Sequence, residues 1–226
     1  HTMIAEELPD GRRHVQFGHA FDAHPQPTRH VETAPLFITF SDQGLNGVSV
    51  QYQRHLRDNV VTWTNESLPR PVHYNCWEAI YFDHDPNTLS DIVAAAAKIG
   101  AERFVLDDGW FGTRDDDTQS LGDWDIDPRK YPSGLGPLIA HVNDHGMSFG
   151  IWFEPEMINP NSRLYREHPE WVLGPLEQTQ GRNQLVLDMA NADVREYLFG
   201  KISTILGNYN ISYIKWDHNR VLPFVD

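Results

Sequence analysis

The segment Ile214–Arg220, which reads IKWDHNR, carries the residues of this chain that are best suited to chemistry. It follows an apolar helical stretch and a turn, so we predict that it is the polar end of a short β-strand. Because strand side chains alternate, Lys215 and Asp217 share one face, and the lysine would keep the carboxylate ionised at neutral pH. A fixed, ionised carboxylate is what a covalent nucleophile requires. The alternative is an aspartate that ends the strand and caps the next turn.

A pair of adjacent aspartates, Asp107 and Asp108, ends an earlier predicted strand and runs into Gly109. Adjacent carboxylates can each accept a sugar hydroxyl through short, charge-assisted hydrogen bonds. A tight turn with a helix-capping aspartate, or a cation site, is an equally good interpretation of the same residues.

Another predicted strand ends in Trp152, Phe153 and Glu154, followed by Pro155 and Glu156. Trp152 can offer a flat apolar face to a sugar ring, and Glu154 can act as an acid. A tryptophan packed in the core is the alternative. Three strand ends that each carry Trp, Asp or Glu favour a site.

Metal and thiol chemistry are less well supported. His141 and His145 lie four residues apart, but no glutamate flanks His141 as in zinc proteases, so we predict a solvated helix end. Cys76 has no obvious partner histidine and is not expected to be a nucleophile. The predicted strand ends carry carboxylates, tryptophans and one lysine, without metal or phosphate motifs. This set of residues is typical of a glycosidase, which needs one ionised and one protonated carboxyl group. We expect no metal or organic cofactor.

From Val72 onward the chain alternates between predicted strands and helices. Thr88 begins the first helix with capping-box spacing, and Gly100 ends it. Without a Rossmann glycine fingerprint, this α/β alternation favours a (β/α)8 TIM-type barrel, in which strand carboxyl ends form the active-site floor. A full barrel needs about 250 residues, so only about its first four βα units are expected here. The predicted strands end near Trp77, Asp108, Phe153 and Asp217, and the helices cover about 88–99, 137–145 and 193–206.

Residues 1–68 are predicted to be β-structure and loop, the C-terminal remnant of an N-terminal β-sandwich domain. Strands are expected at Leu36–Phe40 and at Gly47–Tyr52, where apolar and polar residues alternate. Pro69, Arg70 and Pro71 are the predicted linker, and residues 69–226 are expected to be the truncated N-terminal half of the catalytic barrel.

Composition narrows the class of partner and compartment. The chain has 40% hydrophobic residues, and 18 Lys and Arg face 32 Asp and Glu, a net charge of −14. That charge disfavours nucleic acid and anionic membranes but not a neutral sugar. A single cysteine excludes an internal disulfide. With no apolar run near the ~20 residues of a membrane span and no signal-peptide core, a cytoplasmic location is expected.

Five motifs together are typical of a known family: Asn75–Ala79 (NCWEA), Asp107–Phe111 (DDGWF), Gly150–Met157 (GIWFEPEM), Gly181–Gln184 (GRNQ) and Ile214–Arg220 (IKWDHNR). In this order they resemble the α-galactosidases of glycoside hydrolase family 36. The upstream residues 11–68 resemble, less distinctively, the end of that family's N-terminal β-sandwich domain.

The resemblance implies retaining hydrolysis of terminal α-D-galactosides, such as melibiose and raffinose-type oligosaccharides, by a full-length form that is a homo-oligomer. Asp217 would be the nucleophile that forms a glycosyl-enzyme intermediate. Asp107 and Asp108 would hold the O4 and O6 side of galactose. The other implied substrate-binding residues are Trp77 and Trp152 as pocket walls, Arg182 from an inserted hairpin, and Lys215 and Asn219 at sugar hydroxyls.

One family residue has no counterpart here. The family's general acid/base is an aspartate on a later barrel strand, expected beyond residue 226, and neither Glu154 nor Glu156 is assigned that role. Without the acid, the isolated chain would lose the roughly 10²–10⁴-fold that proton transfer contributes. Two alternatives stay open: a non-catalytic fragment or subunit that needs the missing half-barrel, and an α-N-acetylgalactosaminidase or other α-glycosidase on the same barrel.

Overall fold

The computed structural model describes residues 2–18, 35–62 and 69–219. Arg220, the last residue of the IKWDHNR motif, lies outside the described residues. The chain divides into two compact units. The larger unit combines His1–Ala23 with Pro71–Asp226, and the smaller is His24–Arg70. The larger unit begins with an antiparallel pair, β1 (Thr2–Glu7) and β2 (Arg13–Gly18).

The smaller unit is helical where strands were predicted. Helix α1 (Gly44–His55) contains the whole Gly47–Tyr52 segment and continues as a π-helical turn over Leu56–Val60. Leu36–Phe40 has no regular secondary structure and pairs with no strand among the described residues. Both strand predictions are therefore wrong.

The reason lies in the short length of the pattern. Val48 and Tyr52 are four residues apart, so they share a helix face as readily as a strand face. Gln51 and Tyr52 then donate side-chain hydrogen bonds to carbonyl groups in the 36–40 segment, at 3.0 and 2.9 Å. These bonds occupy backbone acceptors that a strand ladder would have used.

A four-stranded parallel sheet forms the centre of the larger unit, and it positions the site. Adjacent strands are joined through helices, so all their carboxyl ends emerge at the same edge. The sheet confirms the predicted α/β class and the approximate strand positions. In spatial order the strands are β3 (His73–Asn75), β4 (Arg103–Leu106), β5 (Ser148–Phe153) and β8 (Tyr213–Trp216).

The helices that connect these strands begin and end at recognisable signals. Helix α3 begins at an aspartate cap, since the Asp85 side chain accepts the Thr88 backbone N–H at 2.7 Å and Pro86 follows. The cap is therefore Asp85, and the predicted capping box at Thr88 is wrong. Gly100, at φ 92°, ends the helix as predicted. The connecting helices are α2 (Trp77–Ile80), α3 (Pro86–Lys98), α4 (Gly136–Asp144) and α6 (Ala192–Asn208).

An insertion separates β5 from α6 and delivers a turn to the sheet edge. It contains the short strands β6 (Met157–Ile158) and β7 (Leu185–Val186), which pair antiparallel, and helix α5 (Arg163–Glu167). The Gly181–Gln184 turn lies directly before β7. No helix in the described ranges has the length and apolar character needed to cross a membrane.

The core fills the space between the sheet and its helices. Strand β5 is buried from Phe149 to Phe153. Helix α3 contributes Leu89, Val93 and Ala96 to the same hydrophobic core. Ile99, the last residue of the predicted helix, is 78% exposed, and the helix ends one residue earlier at Lys98. An aromatic cluster packs beneath the strand ends, with ring centroids 4.4 to 6.2 Å apart: Trp110, Phe111, Trp124, Trp152 and Phe153.

Candidate active site

One hollow at the carboxyl edge of the sheet collects the predicted site residues. It has a volume of about 330 Å³, and Trp152 is the member of the aromatic cluster that lines it. Every residue predicted to contact substrate or act as nucleophile lines it: Trp77, Asp107, Asp108, Trp152, Arg182, Lys215, Asp217 and Asn219. Residues up to 142 positions apart in sequence (219 − 77) meet here because parallel strands end at a common edge.

Asp217 projects into the hollow from just beyond β8. Its Oδ2 accepts the indole N–H of Trp152 at 2.9 Å and the side-chain amide of Asn219 at 2.8 Å. Its Oδ1 accepts the backbone N–H of His218 at 3.0 Å. Partial burial opposes ionisation, but these hydrogen bonds and the charge of Lys215 outweigh it and lower the pKa of Asp217 below its ordinary value. The predicted placement of Lys215 beside Asp217 is confirmed.

Lys215 lies between two carboxylates on the sheet edge. Its Nζ is 2.8 Å from Oδ2 of Asp107 and 3.8 Å from Oδ2 of Asp217. Asp107 also accepts a side-chain hydrogen bond from Asn75, at the end of β3. One cation therefore serves both acids, and it is in direct contact only with Asp107.

Asp108 is paired with an arginine that the sequence did not single out. Nε and Nη2 of Arg114 donate to the two carboxylate oxygens at 2.7 and 2.8 Å, a bidentate pair in which the Arg114 side chain is only 1% exposed. Burial raises the pKa of Asp108 above its ordinary value, and the guanidinium opposes that shift. Arg114 follows Asp108 by six residues in an irregular loop, so no periodic pattern could have indicated this pairing.

Arg182 reaches the hollow from a turn with unusual backbone angles. Arg182 and Asn183 both have positive φ, at 53° and 58°. The buried Asn159 side chain holds this turn by donating to the Asn183 carbonyl at 2.7 Å. The side-chain oxygen of Asn159, Oδ1, accepts in turn from Nη1 of Arg114 at 2.8 Å. A continuous chain of hydrogen bonds thus connects Asp108 with the turn that carries Arg182.

The two tryptophans meet the hollow differently. Trp152 is 1% exposed and stacks at 8° on Phe111, so its ring belongs to the core. Its N–H edge nevertheless reaches Asp217. The core interpretation of Trp152 is therefore correct, and the residue also lines the hollow. Trp77 is less buried, and its ring packs edge-on against Tyr81 and Phe82.

The other residues considered for chemistry lie outside the hollow. Burial raises the pKa of Cys76 to about 12, which removes it as a nucleophile. His141 contacts Ser90 through Nε2 at 3.0 Å, and the exposed His145 contacts the His141 carbonyl, an arrangement without metal-site geometry in the described chain. Burial raises the pKa of Glu154, whose side chain packs behind Asp217 and does not line the hollow.

Comparison with known proteins places this arrangement in a class. The family model for Melibiase matches residues 30–225 of this chain. The α-galactosidase of Escherichia coli is 45% identical over 98% of this chain, which covers 32% of that protein. Mel36A, an α-galactosidase of Lactobacillus acidophilus, is 40% identical over 98% of this chain and 31% of its own length.

Solved structures agree with the sequence relatives. The α-galactosidase AgaB of Geobacillus stearothermophilus, of glycoside hydrolase family 36, superposes with a TM-score of 0.76 and 48% identity over 82% of this chain and 26% of its own. A variant of AgaA from the same organism, solved with raffinose, gives a TM-score of 0.76 and 46% identity. The chain therefore belongs to the Melibiase family, glycoside hydrolase family 36. It spans about a third of the length of the relatives it matches.

Proposed function

We propose that this chain supplies the nucleophile side of an active site that hydrolyses terminal, non-reducing α-D-galactosides with retention of configuration. Melibiose and raffinose-type oligosaccharides are the proposed substrates, in keeping with the raffinose bound by the related AgaA variant. The observation that carries the proposal is the Asp217 carboxylate, ionised and held by neutral N–H donors in a hollow of sugar size. No cofactor takes part in this chemistry.

The proposed reaction has two steps at Asp217. A carboxylate oxygen attacks the anomeric carbon while the bond from that carbon to the leaving oxygen breaks, and an acid protonates the leaving oxygen. The galactosyl ester on Asp217 is then attacked by water, which gives up its proton to the same acid, now acting as a base. Galactose leaves with its original anomeric configuration, and the carboxylate is regenerated.

The other lining residues fit recognition of galactose. Asp107 and Asp108 are held by Lys215 and Arg114 and still line the hollow, where they can accept the O4 and O6 hydroxyls. An axial O4 distinguishes galactose from glucose, so this acidic pair would set specificity. Lys215, Asn219 and Arg182 are proposed to bind the remaining hydroxyls, with Trp77 and Trp152 as walls.

The proposed architecture is the first half of a (β/α)8 barrel. The four parallel strands lie side by side in the order β3-β4-β5-β8, as consecutive strands of such a barrel do. The matched relatives are about three times longer than this chain. Among the described residues, the only carboxyl groups that line the hollow are Asp107, Asp108 and Asp217, so we propose that the general acid comes from another part of a longer protein. The boundary between residues 1–68 and 69–226, a homo-oligomeric form and a cytoplasmic location remain predictions.

The test is Asp217→Asn in the full-length protein, assayed with raffinose and an aryl α-galactoside. Turnover is expected to fall by roughly 10⁴-fold or more, because the amide is a poor nucleophile. Galactose binding, measured by calorimetry, should survive because Asn keeps an oxygen that can accept from Trp152 and Asn219. Asp91→Asn, an exposed aspartate on α3, is the matched control. Near-wild-type turnover by Asp217→Asn refutes the assignment.

Two further assays separate the alternatives. Faster cleavage of an aryl α-N-acetylgalactosaminide than of the α-galactoside would assign the rival activity. The 226-residue chain alone can be tested on an aryl α-galactoside, whose leaving group scarcely needs an acid. Cleavage there supports a competent nucleophile, and binding without cleavage supports a non-catalytic fragment.

A further inference from the structure

Glu154 is a buried acid that contacts Asn219, a residue lining the hollow, and has no part in the proposed reaction. It follows β5 directly and is 1% exposed. One carboxylate oxygen, Oε1, accepts the backbone N–H of Asn219 at 2.8 Å. The other, Oε2, accepts the side-chain amide of Gln184 at 3.1 Å. Both partners lie next to or within the segments that line the hollow.

These contacts are unsuited to an acid or to a substrate ligand. Each oxygen accepts from an N–H donor, and these two hydrogen bonds favour the carboxylate form, whereas burial opposes ionisation. Glu154 is also absent from the lining of the hollow, behind Asp217 and Asn219. Its position is therefore that of a support for other residues.

What Glu154 supports is the loop that carries the nucleophile. Three consecutive residues of β5 and its end hold that loop: Trp152 donates to the Asp217 side chain, Phe153 accepts the Asp217 backbone N–H at 2.8 Å, and Glu154 accepts from Asn219. The β-ladder ends at Asp217, so the Glu154 carboxylate replaces the next backbone acceptor. Asn219 then has a fixed backbone from which its amide reaches Asp217.

We infer that Glu154 is a positioning residue: its carboxylate fixes the backbone of Asn219, and so the amide that orients Asp217, and it ties this loop to Gln184 in the turn that carries Arg182. The inference rests on the proposed function of Asp217. It assigns to Glu154 an effect on turnover without contact with the sugar.

The experiment compares two variants of similar side-chain volume in the full-length protein. Glu154→Gln keeps a carbonyl oxygen for the Asn219 N–H, whereas Glu154→Leu keeps the volume and removes the acceptor. With an aryl α-galactoside, Glu154→Leu is expected to lower kcat by on the order of 10- to 100-fold, the cost of a misplaced reacting group. Glu154→Gln is expected to retain a clearly higher kcat. Glu167→Gln, an exposed glutamate on α5, is the control for loss of charge.

A more conservative variant, Glu154→Asp, and a double-mutant cycle with Asn219→Ala provide two further tests of the inference. Glu154→Asp keeps the charge but is too short to reach both partners, so its kcat should lie below that of Glu154→Gln. If only the negative charge at position 154 mattered, Glu154→Asp would instead have the higher kcat of the two. In an Asn219→Ala background there is no amide left to orient, so the effect of Glu154→Gln or Glu154→Asp on kcat should largely vanish. Effects that multiply independently overturn the inference.

The outcome is separable from that of the proposed function. A wild-type protein without α-galactosidase activity refutes the proposed function. An active wild type that loses activity with Asp217→Asn, yet turns over equally well with Gln, Leu and Asp at position 154, refutes only the role of Glu154. The role of Glu154 is also refuted if the loss of kcat in the position-154 variants follows their loss of thermal stability and is just as large in the Asn219→Ala background.

Discussion

His84 is a buried histidine whose protonation should destabilise the fold in a defined pH window. Its Nε2 is 2.9 Å from the Asp108 carbonyl oxygen, and its Nδ1 is 2.6 Å from the Tyr131 hydroxyl. A carbonyl can only accept, so Nε2 carries the proton, and the neutral ring accepts from Tyr131 at Nδ1. Burial, with the nearby charge of Lys130, lowers the pKa of His84 to about 4.

The direction and size of the pH effect on stability follow from the difference between the pKa of His84 in the folded and unfolded states. The ordinary histidine pKa of 6.5 applies to the unfolded chain, so between pH 6.5 and 4 the unfolded state binds the proton more tightly. The stabilisation is complete above pH 6.5 and is lost as pH falls towards 4. With these two pKa values, His84 alone should lower the free energy of unfolding by about 2 kcal/mol between pH 7 and pH 5.

The assay is urea unfolding of the wild type and of His84→Gln at pH 7, 6 and 5. Glutamine keeps an N–H donor for the Asp108 carbonyl but does not titrate. Between pH 7 and pH 5, the free energy of unfolding of His84→Gln should therefore fall by ~2 kcal/mol less than that of the wild type. His145→Gln, at an exposed histidine, should keep the wild-type slope. If the wild type and His84→Gln change in parallel from pH 7 to 5, His84 is not held neutral by its surroundings.

Two further predictions concern buried groups. Arg114→Met leaves the Asp108 carboxylate buried without its cation, so we expect a loss of about 3–5 kcal/mol in the free energy of unfolding by urea titration; a loss below 1 kcal/mol would contradict this. Cys76, fully buried with a pKa raised to about 12, should resist iodoacetamide in the folded protein and react once the protein is unfolded. Rapid labelling of Cys76 under native conditions, followed by mass spectrometry, would show that prediction to be wrong.

The parallel sheet of the larger unit was predictable because its pattern of strands and helices repeats. Strand β5 is a continuous apolar run of the kind that a parallel sheet buries on both faces, and Gly100 and Gly146, with φ of 92° and 76°, end the helices that precede β4 and β5. In the smaller unit the signal was six residues long, and no residue of α1 is buried. A pattern without a core behind it could not distinguish strand from helix.

The site divides in the same way. Asp107, Trp152 and Asp217 could be placed together from sequence, because residues at the ends of parallel strands must share an edge. Arg182 came only from the family resemblance, since its turn has no periodic signal. Arg114 and Asn159 were missed because both lie in irregular loops, where burial and hydrogen bonding arise from tertiary packing.

The arrangement of charge explains how a chain of net charge −14 can hold three carboxylates around one hollow. Arg114 neutralises Asp108 from beneath, where a sugar cannot displace it, and Lys215 contacts Asp107 directly. Asp217 differs, because its nearest cation in the described chain is 3.8 Å away and its closest donors are neutral N–H groups. A direct ion pair would tie up the lone pairs needed for attack, whereas a lysine at that distance favours ionisation and leaves the oxygens to be oriented by Trp152 and Asn219. The proposed nucleophile is therefore the one acid of the three whose closest cation is not in direct hydrogen-bond contact with it.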